Sequence, residues 1–292
     1  MQIQGISPGL RARVALEKHG FSFTHSLGQN FILDDDFLEE IALEAGVGEG
    51  EAVLEIGPGP GLLTHHLASH CRKVLALEID RKLEPVLSEV LEGVSNAEVV
   101  FTDVMKCDLP ALLEERFPGE DVQVVANLPY YITADVIERL LTCGARIGNI
   151  TVMVQKEAAQ RLCAAPGTRE AGAISYAVAY YAQPKLLFTV QPGSFYPAPK
   201  VTSAVIQLTL HPQPPVRVPG GDEAGYFRLI RAAFSQRRKT AANAIANGLS
   251  LPKAQVLAAL QDAGLDARLR PEQLTLQDFC ALQTALTNRG CL

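Results

Sequence analysis

Between residues 52 and 210, short apolar runs alternate with segments in which apolar residues recur at helical spacing. The apolar runs are 52-AVLEI-56, 74-VLALEI-79, 98-EVVF-101, 122-VQVVA-126 and 150-ITVMVQ-155. Helical spacing follows in 61-GLLTHHLASH-70, 81-RKLEPVLSEVL-91 and 133-TADVIERLL-141. Runs of this length, alternating with helices, predict a parallel sheet with helices on both faces.

Two further apolar runs close this region, at 185-KLLFTV-190 and 203-SAVIQLTL-210. The proline-rich segment 192-PGSFYPAPK-200 separates them. We expect the two runs to form an antiparallel pair at the edge of the sheet, with a loop between them. The fold class predicted is therefore α/β, with a mostly parallel seven-stranded sheet.

The pattern changes at 211-HPQPPVRVPGGDEAG-225, where four prolines and three glycines predict a linker. Helical patterns follow in 226–249, 253–264 and 275–288. The predicted organisation is a first domain over 1–210, a linker over 211–225 and a small all-α domain over 226–292.

Charge is distributed unevenly between these parts. Residues 211–292 hold 10 Lys and Arg against 6 Asp and Glu, a net +4, whereas residues 1–210 hold 16 against 26, a net −10. This asymmetry is compatible with an anionic partner bound by the C-terminal part only.

Other features of composition exclude several classes. No run of about 18 apolar residues is present, so no membrane span is predicted. The N-terminus lacks a secretory apolar core, and Glu17 and the scarcity of serine argue against a transit peptide despite Arg11 and Arg13. Six scattered cysteines without a CxxC pair predict free thiols in a reducing, cytoplasmic compartment. His66 and His70 share a helix face, but the HExxH pattern is absent and no metal site is predicted.

A glycine-rich turn, 55-EIGPGPG-61, follows the first strand. Glycines allow a sharp turn and a close approach of a ligand to the backbone. Leu62 occupies the third glycine position of the dinucleotide pattern GxGxxG, so that pattern fails. The pattern present is GxGxG, with Gly57, Gly59 and Gly61.

Two acidic residues end the next strands. Glu78 lies about 20 residues beyond the turn, where such folds bind ribose hydroxyls, and Asp103 ends the third strand. The alternative is a tight turn beside solvated strand ends. No GK[ST] follows the glycines and two carboxylates would repel phosphate, which favours a neutral or cationic adenosine ligand. The pattern resembles the Rossmann-like class I S-adenosylmethionine-dependent methyltransferases.

More specific motifs resemble one family in that class, the ribosomal RNA adenine N6-dimethyltransferases. The resemblance covers nearly the whole chain and is carried by motifs in a fixed order: 26-SLGQNFILD-34, 127-NLPYYIT-133, 155-QKEAAQRL-162, 194-SFYPAPKVTSAV-205 and 234-FSQRRKTAANAI-245.

The resemblance implies a catalytic group. The Asn127 side-chain carbonyl and the Leu128 backbone carbonyl would accept hydrogen bonds from the adenine amino group, while Pro129 fixes the backbone direction. Tyr130 would stack on the face of the flipped-out base, and Phe195 would close the opposite face. The adjacent Tyr131 is predicted to be a packing residue.

The resemblance also implies contacts with the cofactor, S-adenosylmethionine. They are assigned to a lid segment of about residues 1–35, to the glycine turn, to the strand ends and to the catalytic tetrapeptide: Asn30, Ile32, Gly57, Gly59, Gly61, Glu78, Asp103 and Asn127. Phe31, in the lid, is explained equally well as a hydrophobic staple for the following helix.

RNA contacts are predicted in the C-terminal part. The run Arg237, Arg238 and Lys239, on the first helix of that part, would contact phosphates, which give affinity and register rather than base identity. Ala242 and His25 stand where the family usually has basic residues, which puts RNA affinity in doubt.

The resemblance implies dimethylation of N6 on two adjacent adenosines near the 3′ end of 16S rRNA, in an assembling 30S subunit. A monomer is the default expectation. Two alternatives are open. One is a resistance-type methyltransferase of 23S rRNA, although that group usually has isoleucine before the proline of the tetrapeptide. The other is a non-catalytic RNA-binding assembly factor.

Overall fold

The computed structural model describes residues 7–24, 27–236 and 238–292. The chain divides into two compact units, the first comprising Met1–Ala159 and Lys185–Leu210 and the second Gln160–Pro184 and His211–Leu292. The division differs from the predicted domains, because residues 160–184 belong to the second unit. Among the described residues, no helix has both the length and the apolar character needed to cross a bilayer.

The strands are, in chain order, β1 Phe31–Ile32, β2 Ala52–Ile56, β3 Lys73–Glu78, β4 Ala97–Phe101, β5 Val122–Asn127, β6 Ile147–Gln155, β7 Ala182–Val190, β8 Phe195–Tyr196 and β9 Ser203–Leu210. The helices are α1 Pro8–Lys18, α2 Asp35–Glu44, α3 Leu62–His70, α4 Glu84–Val90, α5 Leu109–Arg116, α6 Thr133–Thr142, α7 Lys156–Leu162, α8 Ala173–Tyr181, α9 Glu223–Phe234, α10 Ala241–Gly248, α11 Lys253–Asp262 and α12 Leu276–Asn288.

Seven strands form the large sheet in the order β4-β3-β2-β5-β6-β9-β7. The first five pair in parallel, and β9 runs antiparallel to β6. The α/β class, the mostly parallel seven-stranded sheet and the helical C-terminal region are confirmed. Every residue of β2 is buried, which explains why its sequence is continuously apolar apart from Glu55.

A second, two-stranded sheet was not predicted. It joins β1 to β8 in antiparallel register, with Phe31 opposite Tyr196 and Ile32 opposite Phe195. The ribbon connects the predicted lid to the proline-rich loop at 192–200. Phe31 is therefore a buried strand residue with a structural role, and Asp34 caps the helix α2 that follows.

Carboxylates bind two of the three histidines of α3, His66 and His70. His66 lies 2.9 Å from Glu39 and 3.2 Å from Asp35, and His70 lies 2.6 Å from Glu39. Asp35 also accepts the Gly9 N–H at 2.9 Å, so the cluster connects α1, α2 and α3. These contacts give the histidines a structural role.

The second unit departs from prediction in two places. The helix predicted over 226–249 is two helices, because Thr240 caps a new one with a hydrogen bond from the Asn243 N–H at 3.5 Å. A Cβ on Gly248 would lie 2.8 Å from the Cα of Ala232, so α10 packs directly on α9. The predicted linker is largely ordered, since Val218 is buried in the core and α9 begins at Glu223.

Candidate active site

The site lies where the strand order of the large sheet reverses. Helical crossovers leave β2 and β5 as neighbours, with Ile56 opposite Ala126. The residues after these two partners, Gly57 and Asn127, therefore begin the glycine turn and the NLPY tetrapeptide side by side. Ligands of open α/β sheets bind at the carboxyl ends of strands at such a point.

A cavity that is open to solvent, with about 830 Å³ of empty space, lies at this edge. Four parts of the first unit line it: residues 27–31, the glycine turn, the ends of β3 and β4, and residues 127–132. Of the predicted site residues it brings together Asn30, Gly57, Gly59, Glu78, Asp103, Asn127, Leu128, Pro129 and Tyr130.

The glycine turn depends on backbone conformations that other residues rarely adopt. Gly59 has φ 56° and Gly61 has φ 90°. A Cβ on Gly59 would lie 3.0 Å from the Phe31 ring, and one on Gly61 would lie 2.9 Å from Leu87. Gly59 is thus needed for close approach of β1, while Gly61 caps α3 outside the cavity lining.

Glu78 holds the turn against the end of β3. One carboxylate oxygen accepts the Gly59 N–H at 3.1 Å, and the other accepts the N–H groups of Ile79 and Asp80, each at 2.8 Å. A carboxylate has about four lone-pair sites, so about one acceptor position remains. Burial raises the pKa of Glu78, and the three N–H donors oppose that rise.

Asp103 lies at the end of β4 and is half-buried. One of its oxygens accepts the Met105 N–H at 2.9 Å, and the other lies 3.2 Å from the Lys106 ammonium. Apolar residues directly follow both acids and line the same cavity, namely Ile79 and Val104. Neither residue was predicted as part of the site, although the position of each directly after an acid was a usable signal.

Gln29, which was not among the predicted site residues, connects the segment 27–31 of the cavity lining to neighbouring residues. Its side-chain amide donates to Asp80 at 2.8 Å, and its carbonyl accepts the Thr24 N–H at 2.8 Å. Asp80 is buried, so this hydrogen bond connects the predicted lid to the end of β3.

The tetrapeptide is held by neighbouring backbone and side chains. The Asn127 amide nitrogen donates to the Asn30 carbonyl at 3.1 Å, which leaves the side-chain carbonyl as an acceptor. Leu128 is buried and donates its N–H to the Met153 carbonyl at 3.2 Å. The Tyr130 hydroxyl lies 2.7 Å from the Ser203 hydroxyl, and burial raises the pKa of Tyr130.

Two aromatic predictions need correction. Tyr131 is 58% exposed and lines the cavity, so the prediction that it is a packing residue was wrong. Phe195 is only 5% exposed and lies in the hydrophobic core of the first unit, because β8 pairs with β1 and turns this side chain inward. The structure does not bring Phe195 to the cavity.

Ile32 lines a smaller cavity of about 440 Å³ beside the glycine turn, together with Asn127 and Glu55. Glu55 is 1% exposed and accepts the Thr64 hydroxyl at 2.5 Å. Burial raises the pKa of Glu55 to about 8, the hydrogen bond from Thr64 opposes the rise, and the charge of Glu78 adds to it.

The predicted phosphate-binding run lies in the second unit. Arg238 and Lys239 are exposed in the turn between α9 and α10 rather than on a helix, and Arg237 lies outside the described residues. Ala242 is 1% exposed and is therefore part of the core. Alanine at this position does not leave a gap in a basic surface. His25 also lies outside the described residues.

Comparisons of this sequence with protein families and with individual proteins point to the same family. The family model for ribosomal RNA adenine dimethylase matches residues 20–287. Proteins named ribosomal RNA small subunit methyltransferase A are 45% identical in Geobacillus sp. and 42% identical in Alkaliphilus oremlandii. The alignments cover 96% and 97% of this chain and 97% and 99% of those proteins.

Solved structures of similar fold include a dimethyladenosine transferase from Plasmodium falciparum and the 23S rRNA methyltransferase ErmE. Their TM-scores are 0.70 and 0.64, and each is 26% identical. Each alignment covers 88% of this chain, with 97% of the first structure and 99% of the second. On the match of the family model and the near full-length identity to its relatives, the chain belongs to the ribosomal RNA adenine dimethylase family.

Proposed function

We propose that this protein transfers methyl groups from S-adenosylmethionine to N6 of adenine in the RNA of the small ribosomal subunit. The observation that carries the proposal is the 830 Å³ cavity, which joins Gly57, Gly59 and Glu78 to Asn127 and Tyr130. One continuous space can therefore hold a methyl donor and an acceptor base next to each other.

The residues at the strand ends fit an adenosine. The acceptor position left on Glu78 suits a ribose hydroxyl, and Asp103 can accept from an adenine amino group. Ile79 and Val104 offer apolar surfaces for the purine ring. Two acidic residues and the absence of a GK[ST] sequence disfavour a phosphate-bearing ligand. Bound S-adenosylmethionine supplies a methyl group already activated on a sulfonium.

The smaller cavity suits the amino-acid portion of this cofactor. It lies beside Gly57 and Asn127 and contains the Glu55 carboxyl, which could accept from an ammonium group. Ile32 lines it as well, whereas Asn30 lines the larger cavity. We assign these residues to the cofactor on that basis.

On the acceptor side, adenine N6 is a weak nucleophile because its lone pair is delocalised into the ring. The carbonyls of Asn127 and Leu128 would hold its two N–H bonds and direct the lone pair away from the ring plane. The hydrogen bond from Asn127 to the Asn30 carbonyl fixes the amide so that its oxygen is the acceptor. Positioning of this kind requires no strong general base.

Tyr130 is the aromatic residue suited to stack on the target base. Its hydroxyl is fixed by Ser203, which orients the ring at the cavity wall. Base–aromatic stacking is worth about 1–3 kcal/mol per base. Phe195 could take the opposite face only by leaving the core, so we do not assign it in this conformation.

The substrate proposed is a pair of adjacent adenosines near the 3′ end of 16S rRNA, in an assembling 30S subunit in the cytoplasm, with a monomeric enzyme. The RNA contacts proposed are phosphate contacts by Arg238 and Lys239, which are exposed, and by Arg237 of the same run. These details come from the family resemblance and the basic C-terminal part.

The test is transfer of labelled methyl groups to unmethylated 30S particles, 50S particles and duplex DNA in parallel. Label is expected only on 30S particles, as N6,N6-dimethyladenosine. Label on 50S particles would favour the second candidate, methylation of 23S rRNA, which the fold similarity to ErmE supports. No label on any substrate, with no heat of cofactor binding, would favour a non-catalytic RNA-binding factor.

A further inference from the structure

Tyr131 is the exposed aromatic residue of the cavity lining that neither the cofactor nor the target base accounts for. It is 58% exposed, whereas the adjacent Tyr130 is half-buried with its hydroxyl on Ser203. Both rings line the same cavity. The two neighbours therefore have different surroundings, one within the wall and one at the rim.

The Tyr131 ring is supported on one side. A Cβ added to Gly28 would lie 3.3 Å and 3.4 Å from two carbons of the ring, and 3.7 Å from the Pro129 Cβ. Gly28 has φ 61°, a conformation that also favours glycine. The ring thus rests against the backbone of the lid segment, with more than half of its surface left to solvent.

A supported and exposed ring beside a base pocket suits stacking. When a target base leaves its stack, the neighbouring base exposes a face that was previously covered. Aromatic side chains bind unstacked bases of single-stranded RNA in this manner, largely independently of sequence. We infer that Tyr131 stacks on the base next to the target adenine and holds the RNA strand at the cavity mouth.

This inference rests on the proposed function and assigns Tyr131 to substrate binding rather than to chemistry. Replacement by leucine removes the ring but keeps apolar volume against Gly28. With 30S particles as substrate, Tyr131→Leu should raise KM by about 5- to 140-fold, the range that about 1–3 kcal/mol represents. The kcat and the Kd for S-adenosylmethionine should stay within twofold, and Tyr131→Phe should behave like the wild type.

A modified substrate separates stacking from a structural role. In 30S particles reconstituted with an abasic nucleotide on the 5′ side of the adenosine pair or on its 3′ side, one of the two placements should raise the wild-type KM to that of Tyr131→Leu. The same placement should leave the KM of the variant unchanged. Leu43→Ala, at an equally exposed residue of α2, is the control and should match the wild type on every substrate.

Three results would overturn the inference: an unchanged KM for Tyr131→Leu, a matching loss of cofactor affinity, or an abasic effect of equal size in wild type and variant. Absence of methyl transfer by the wild type would instead reject the proposed function itself, so the two failures are distinguishable.

Discussion

The two halves of the cavity are built in different ways. On the half that we propose binds the cofactor, called the cofactor half, Glu78 binds three backbone N–H groups and the glycine turn has left-handed backbone at Gly57, Gly59 and Gly61. On the half that we propose binds the target base, called the base half, side chains connect segments that are far apart in sequence, as in the hydrogen bond from Asn127 to Asn30. The first half is held mainly by backbone groups at the ends of strands. The second half depends on a few side-chain contacts, each of which a single substitution can remove.

This contrast predicts which changes abolish binding and which affect only transfer. Substitutions of Glu78 or of glycines in the turn should reduce the affinity for S-adenosylmethionine. Substitutions in the base half should reduce methyl transfer to RNA and leave most of the cofactor affinity.

The largest effect is expected from Asn127→Ala. The change removes one of the two acceptors for the adenine amino group and also the hydrogen bond to the Asn30 carbonyl. Loss of one positioned polar group in an active site costs about 10²–10³-fold in rate. Single-turnover methyl transfer to 30S particles measures it, with Asn149→Ala in the distant part of β6 as a control. A decrease of less than tenfold in the rate of methyl transfer would contradict a catalytic role for Asn127.

Glu55→Gln should change how stability depends on pH. The pKa of Glu55 is about 8 in the folded protein and near 4.5 without burial, so the folded state binds more protons between these values. Stability should therefore fall as pH rises from 5 to 8, by at most about 5 kcal/mol from this group.

Urea unfolding of the cofactor-free protein at pH 5 and pH 8 measures this difference. The Glu55→Gln protein should lose less stability over the interval than the wild type, while Glu84→Gln, at an exposed position, should follow the wild type. Equal losses in the wild type and Glu55→Gln would show that Glu55 is ionised throughout.

Gly59→Ala should weaken cofactor binding, because it disturbs the contact between the glycine turn and Phe31 of β1. The added methyl group would lie 3.0 Å from the Phe31 ring, and the residue would keep an unfavourable φ of 56°. We expect a 10- to 100-fold weaker affinity for S-adenosylmethionine, on the order of 1–3 kcal/mol. Gly20→Ala is the matched control, since Gly20 has φ 59° with no atom within 4 Å of the added carbon. Equal affinities in both variants would contradict the contact with Phe31.

The smallest effect is expected at Gln29. Gln29→Ala removes the hydrogen bonds to Asp80 and Thr24 and should weaken cofactor binding by about 3- to 10-fold, near 1 kcal/mol. Gln29→Glu should be more damaging, because it places a second carboxylate beside the buried Asp80. Calorimetry on both variants tests the order, and a Gln29→Glu protein that binds as well as Gln29→Ala would argue against the lid contact.

The sequence predicted the glycine turn and the acids at the sheet edge better than the contacts made by the segments around them. Buried strands alternate with helices, so the glycine turn and both acids could be placed at one edge from local patterns alone. Two of these contacts join segments that are distant in the chain: the pairing of β1 with β8 and the hydrogen bond between Gln29 and Asp80. The exposure of Tyr131 likewise depends on how the surrounding segments pack. No local pattern encodes such contacts, and burial of Phe195 follows from the same unpredicted ribbon.

The most direct test of this account is a calorimetric titration of S-adenosylmethionine into the Glu78→Ala and Tyr130→Leu proteins. We predict at least a tenfold loss of affinity for Glu78→Ala, since the turn loses its carboxylate acceptor, and wild-type affinity for Tyr130→Leu. Equal affinities in the two variants, or a larger loss in Tyr130→Leu, would contradict the division of the cavity into a cofactor half and a base half.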